Sequence, residues 1–189
     1  MAMEIELKAH VGDPEALKAA ISLLTGCVPL SFEKDDCYWA ALDCVPKSGV
    51  RLRRESLRRP DGGAEEKVLV TYKAKEVREG IEINDEREFT VSDGDIFGEL
   101  LKRLGLEPGV RKHKRGWAWT CGNIYAELAE VSGSTRNLGW FLELEILAEE
   151  AGTETVAAAR GELLGLLERL KVGRECIEER YYAEMLGEQ

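Results

Sequence analysis

Along six short stretches of this chain, charged residues stand at every second position and hold mostly to one sign. They are Glu4, Glu6 and Lys8; Arg51 and Arg53; Lys73 and Lys75; Glu86 and Glu88; Lys112 and Lys114; and Glu143 and Glu145. A period of two is that of a β-strand, whose side chains alternate between faces. The residues between the charges are largely apolar: Met3, Ile5, Leu7 and Ala9 in the first stretch, Trp140, Leu142, Leu144 and Ile146 in the last. A sheet with one wet face normally scatters mixed polar groups over it, whereas these faces are almost wholly acid or base. Charged faces turned to water with cross-strand ion pairs are one arrangement the spacing allows. The other is a sheet closed on itself, with apolar faces outside and charged faces inside. Unpaired charges in a dry interior cost several kcal/mol each. A closed sheet therefore requires a water-filled tunnel that takes up a polyanion and metal.

The covers for such a sheet are present. Asp13-Pro14 opens a helix with an acidic N-cap and proline at its first position; Leu17, Ala20, Ile21 and Leu24 give its stripe, and Gly26 ends it. "SDGDIFGELLKRLG" predicts a second helix, with Ile96, Leu100, Leu101 and Leu104 inward and Gly105 as its stop. Thr153 caps a long apolar helix to about residue 170, and "EERYYAEML" a short final one. Strands are expected at 35–42, in "GVRLRRE", "KVLVTYKAK" and "DEREFTV", at 110–119, and in "NIYAELAEV" and "GWFLELEIL". An E-x-E strand followed by an Asp-capped helix ending in Gly occurs twice, a weak internal duplication. The order is α+β and mostly antiparallel, in one domain over 1–189.

A net charge of −10 disfavours nucleic acid and anionic membrane as partners. No apolar run approaches the length of a membrane helix, and the N-terminus shows no signal-peptide pattern. Five cysteines without a C-x-x-C pair fit reduced thiols in a cytoplasm. His10 and His113 are far apart in sequence and are expected at the surface. Trp117, Trp119 and Trp140 are expected to pack under helices, and "DGG" at 61–63 to turn.

Residue chemistry narrows the ligand. Arginine grips phosphate oxygens through a bidentate fork and lysine as a point charge. Glutamates at i, i+2 on facing strands offer hard oxygen ligands to Mg²⁺ or Mn²⁺. Both in one cavity point to a nucleotide or polyphosphate held with divalent cations.

The ordered motifs resemble those of the CYTH superfamily, also called triphosphate tunnel metalloenzymes, which includes class IV adenylyl cyclases, thiamine triphosphatases and inorganic triphosphatases. Glu4-Ile5-Glu6-Leu7-Lys8 is similar to its E-x-E-x-K signature. Arg51-Leu52-Arg53, Thr71-Tyr72-Lys73, Glu86-Arg87-Glu88, Lys112-His113-Lys114, the strand 138–145 and the closing 180–186 follow in the family's order. The resemblance implies an eight-stranded closed antiparallel barrel with helices packed outside. It implies Glu6, Glu143 and Glu145 as metal ligands, supported by Glu4 and Glu88. Lys8, Arg51, Arg53, Lys73, Lys75, Lys112 and Lys114 would hold phosphates, and Tyr181 and Tyr182 would close one mouth. Lys75 and Glu86 are the positions most exposed to a two-residue slip of register. The implied activity is metal-dependent hydrolysis of a triphosphate-bearing substrate, with Glu6 and Lys8 in the catalytic set and Lys8 or a second metal helping to activate water. The alternatives are cyclisation of ATP to cyclic AMP and pyrophosphate, and a polyphosphate- or nucleotide-binding module weakened in catalysis. The expected partner is a small-molecule triphosphate, on a monomer or homodimer. Two departures stand out: Ala129 occupies the family's usual Asp position, with Glu127 or Glu130 as substitutes, and the insertion "SGSTRN" separates that segment from Leu138-Gly139. A bulge would also make Arg115 rather than Lys114 the counterpart of the family's arginine.

Overall fold

The computed structural model describes residues 3–41, 49–78, 81–149 and 152–187. The alternating stretches all form strands: β1 (Met3–Val11), β2 (Leu30–Ala41), β3 (Val50–Arg58), β4 (Ala64–Arg78), β5 (Ile81–Thr90), β6 (Leu106–Cys121), β7 (Ile124–Gly133) and β8 (Asn137–Ala148). The helices are α1 (Pro14–Thr25), α2 (Gly94–Arg103), α3 (Thr153–Arg169) and α4 (Tyr182–Gly187). Every strand pairs antiparallel with its neighbours in the order β1-β5-β4-β3-β2-β6-β7-β8, and β8 returns to β1. The result is an α+β barrel with its helices outside.

Closure is incomplete along one seam, which corrects the expectation of eight strands fully closed. β1 and β5 pair only between Met3–Glu6 and Glu82–Asp85, whereas β1 and β8 stay paired from Met3 to Val11. Where β5 departs, Ile177 bridges to Ala9, and the Glu178 N–H donates to the Lys8 carbonyl at 2.8 Å. This single-residue pairing acts as a ninth strand on the edge that β5 leaves bare. It also explains why the final helix starts later than the sequence suggests. The Glu178 backbone is committed to β1, so α4 begins only at Tyr182.

The apolar strand faces point outward, as patterning requires. Ile5, Leu7, Leu128, Leu142 and Leu144 are buried beneath α1 and α3, against Leu17, Ile21, Leu163 and Leu167. At α1 the Asp13 side chain accepts from the Ala16 N–H at 3.0 Å, and Gly26 turns out of the helix at φ 68°. The N-cap of α3 is Gly152, one residue before Thr153. The Trp119 indole donates to Ser22 on α1, and Trp117 stacks on Trp140, so the tryptophans serve packing as expected. His10, exposed as expected, bonds Glu178, and the half-buried His113 bonds Asp35.

α2 departs from expectation. Of its four anticipated inward residues only Leu101 is buried; Ile96, Leu100 and Leu104 are exposed. The helix docks through its glycines instead. A Cβ on Gly98 would lie 3.4 Å from the Trp39 ring, and one on Gly94 would lie 3.0 Å from Val68. Close approach at those two positions rotates the leucine stripe off the sheet.

Candidate functional site

Because the barrel's interior positions are the charged ones, its lumen is a cavity of about 380 Å³ walled by acids and bases. That lies within the usual range for small-molecule sites. Glu4, Glu6, Arg51, Arg53, Glu88, Lys112, Lys114, Glu143 and Glu145 all line it, as does Glu86. Register explains the convergence: Glu6 lies opposite Glu145 and Lys8 opposite Glu143 across β1 and β8. Lys114 lies opposite Lys34 across β6 and β2. No bulge intervenes at Lys114, whereas Arg115 points outward and bonds Glu130 at 2.7 Å. Lys73 and Lys75 pair through β4 with Glu86 and Asn84 of β5, but their side chains lie outside the described residues.

Several interior residues carry no motif signal. Asp36 on β2 is fully buried and takes both arms of a fork from Arg53, at 2.7 and 3.0 Å, with Lys112 at 3.1 Å. Burial alone would raise its carboxyl, but Arg53 and Lys112 outweigh that and hold it well below the usual carboxylate range. Lys34 and Glu127 form a second buried pair. Lys114 joins it, 2.8 Å from Glu127 and 2.5 Å from Glu143. Burial opposes charge on Glu127 too, yet Lys114 and Lys34 keep it ionised. Burial is the largest influence on Lys34 and lowers its ammonium pKa, Glu127 only partly compensating. Glu82 on β5 holds Lys8 at 2.7 Å, and Asn84 donates to Glu4 at 3.0 Å.

These contacts give Lys8 and Glu88 particular surroundings. Burial would lower the Lys8 pKa, but Glu82 and Glu6 together raise it above the ordinary value. That direction favours the ammonium form of Lys8. Glu88 stands apart from the other expected ligands: it accepts from Thr71 at 2.9 Å and lies 3.6 Å from Arg51. Ala129 is buried within the barrel beside Phe32 and Ala118, opposite Phe141. Of its two candidate substitutes, Glu127 is inside and Glu130 is outside on Arg115.

One end of the lumen is closed by α4. Tyr182 and Met185 pack on Val131 and Phe141, and the Tyr182 ring lies among Lys8, Lys112 and Lys114 at 4.8, 5.0 and 5.9 Å. Both Tyr181 and Tyr182 line the cavity.

The lining fits divalent cations by charge and by donor chemistry. Among the described side chains nine carboxylates face five basic groups, an excess of four negative charges. A triphosphate brings further negative charge to these carboxylates, which divalent cations entering with it would offset. Among the described residues Glu143 keeps one buried carboxylate oxygen without a hydrogen-bond partner, on the same wall as Glu6 and Glu145. No three ligating groups converge tightly among the described residues. The oxygens therefore share a wall without being drawn into a closed ligand shell.

Comparison with known proteins agrees with this architecture. A CYTH domain model matches residues 2–182. The PH1012 protein of Pyrococcus horikoshii has a similar structure, with a TM-score of 0.74 and 26% identity over 97% of this chain and 99% of that one. A protein of Vibrio parahaemolyticus described as a proposed adenylate cyclase superposes with a TM-score of 0.75 at 18% identity, over 98% of both chains. A proposed adenylyl cyclase of Hippeastrum, described as revealing a dominant triphosphatase activity, gives 0.56 at 17% identity, over 95% of this chain and 91% of that one. No curated protein matches by sequence.

Proposed function

The chain belongs to the CYTH domain family, and on that premise we propose that it is a divalent-metal-dependent hydrolase of a triphosphate-bearing substrate. The observation that carries this reading is the two-sided lumen, in which Arg51, Arg53, Lys112 and Lys114 share a cavity with the acidic wall of Glu4, Glu6, Glu143 and Glu145. The basic side chains bind the phosphate tail, with Asp36 fixing two of them in place. Mg²⁺ or Mn²⁺ held by Glu6, Glu143 and Glu145 would neutralise phosphate charge and lower the pKa of a bound water. Water adds to the terminal phosphorus, the bridging P–O bond breaks, and the leaving phosphate chain departs as an anion stabilised by the lysines and arginines. Tyr182 and α4 exclude solvent from the closed end. Lys8, protonated on Glu82, supplies positive charge rather than acting as a base.

Hydrolysis is preferred over cyclisation because it needs only the phosphate tail to be held, and Arg51, Arg53, Lys112 and Lys114 on the lining are groups that hold one. Phosphorus NMR of the protein with Mn²⁺ or Mg²⁺ and a mixture of ATP and tripolyphosphate tests the proposal. Growth of orthophosphate is the expected result. Pyrophosphate accompanied by a cyclic phosphodiester signal would make the protein a cyclase. Line broadening without product would make it a binding module.

A further inference from the structure

We infer that two copies of this chain associate about a two-fold axis through the exposed flank of α2, the helices lying antiparallel. The helix projects Ile96, Leu100 and Leu104, at steps of four, with exposures of 70, 47 and 66%. Phe89, 55% exposed on β5, extends the patch through its edge contact with Phe97 at 6.2 Å. Single exposed apolar residues are ordinary on protein surfaces, but a contiguous apolar stripe marks an interaction site. The stripe is not a core face displaced by accident, since Gly94, Gly98 and Leu101 already bury the opposite side against Trp39 and Val68.

Charge selects a second copy as the occupant. The N-terminal half of α2 and its cap are acidic, with Asp93, Asp95 and Glu99, and the last turn is basic, with Lys102 and Arg103. Such a helix complements itself only when reversed. With Leu100 near the axis, Ile96 of each copy meets Leu104 of the other, and Glu99 of each faces Arg103 of the other. Within one chain Glu99 and Arg103 already pair at 3.2 Å on an exposed surface, where the bond contributes little and is readily exchanged. Antiparallel macrodipoles favour the same arrangement, and a patch that meets its own copy closes as a two-fold dimer.

Sedimentation equilibrium of the full chain over about 1–100 µM, the range of weak specific interfaces, tests this. The expected result is a monomer–dimer equilibrium that Leu100→Glu or Ile96→Glu weakens by about a hundredfold, as for central interface residues. Both positions are solvent-facing, so unchanged circular dichroism and melting should accompany the loss. Glu99→Arg and Arg103→Glu should each weaken dimerisation severalfold, and the double charge swap should restore it. A monomer throughout the range would overturn the inference. So would a dimer indifferent to Leu100→Glu, an assembly larger than a dimer, or single swaps that the double does not rescue.

Discussion

The barrel carries the E-x-E pattern on three neighbouring strands, β8, β1 and β5, and the copies on β1 and β5 meet different surroundings. Glu4 and Glu6 of β1 stand beside β8, where Glu6 is opposite Glu145. Glu86 and Glu88 of β5 stand beside β4, and Arg51 contacts both, at 3.1 and 3.6 Å. The same three-residue pattern thus stands opposite a glutamate of β8 on one side and against Arg51 on the other. What a charged pair does in a sheet is decided by the strand next to it. Sequence order does not show that neighbour, because β1 meets β8 only through closure of the barrel.

The comparison breaks most readily at the glutamates. If the β1–β8 wall holds the cations, Glu6→Ala and Glu145→Ala should each reduce metal-dependent turnover by about a thousandfold or more, reflecting the several kcal/mol a catalytic metal supplies. Glu88→Ala, already engaged by Arg51 and Thr71, should cost less than about tenfold. Phosphate release measured across a Mg²⁺ and Mn²⁺ titration compares them, and equal losses on both strands would erase the distinction.

Asp36 sharpens the basic side of the comparison. Asp36→Asn strips the counter-charge from Arg53 and Lys112 and should destabilise the protein by about 3 kcal/mol at neutral pH, as breaking buried pairs does. The Asp36 pKa is depressed in the folded state, so its contribution is present above the unfolded value of about 3.9 and lost as pH falls through the lower folded value. The stability difference between wild type and variant, from denaturant titrations at several pH values, should therefore be constant near neutrality and shrink below about pH 4. A difference that grows on acidification would contradict the assignment.

The smallest effect is expected at Ala129. Its neighbours Phe32 and Ala118 are apolar, so Ala129→Asp buries a carboxylate with little to pair it. Stability should fall by about 2 kcal/mol, and turnover should change less than about tenfold. A large gain in turnover would mean that the site lacks an essential carboxylate and that Glu127 does not replace it.

Much of the lumen was legible in sequence because its residues alternate cleanly: Glu6, Arg53, Lys114 and Glu145 all face inward as their spacing predicts. Lys34 and Asp36 were hidden because β2 bears charge on both faces, Glu33 and Asp35 alternating with them. Glu82 and Asn84 were missed because β5 begins at Ile81, four residues before the recognisable acidic run. The α2 sequence shows a stripe, but not that the stripe faces away from the sheet. Helical periodicity gives a direction around the axis only relative to other residues, and here two glycines, by permitting close approach to Trp39 and Val68, set which side meets the sheet.

The short β1–β5 seam has a kinetic consequence. Four residue pairs and one bridging residue hold this join, against nine register partners between β1 and β8. Amide protons along the opening of β5 should exchange with deuterium sooner than those of β7 and β8, which are paired on both edges and lie under α3. If the wall bearing Glu4 and Glu6 loosens at all in the native state, it does so at this join, and ligand spanning both strands should appear in such an experiment as slowed exchange there.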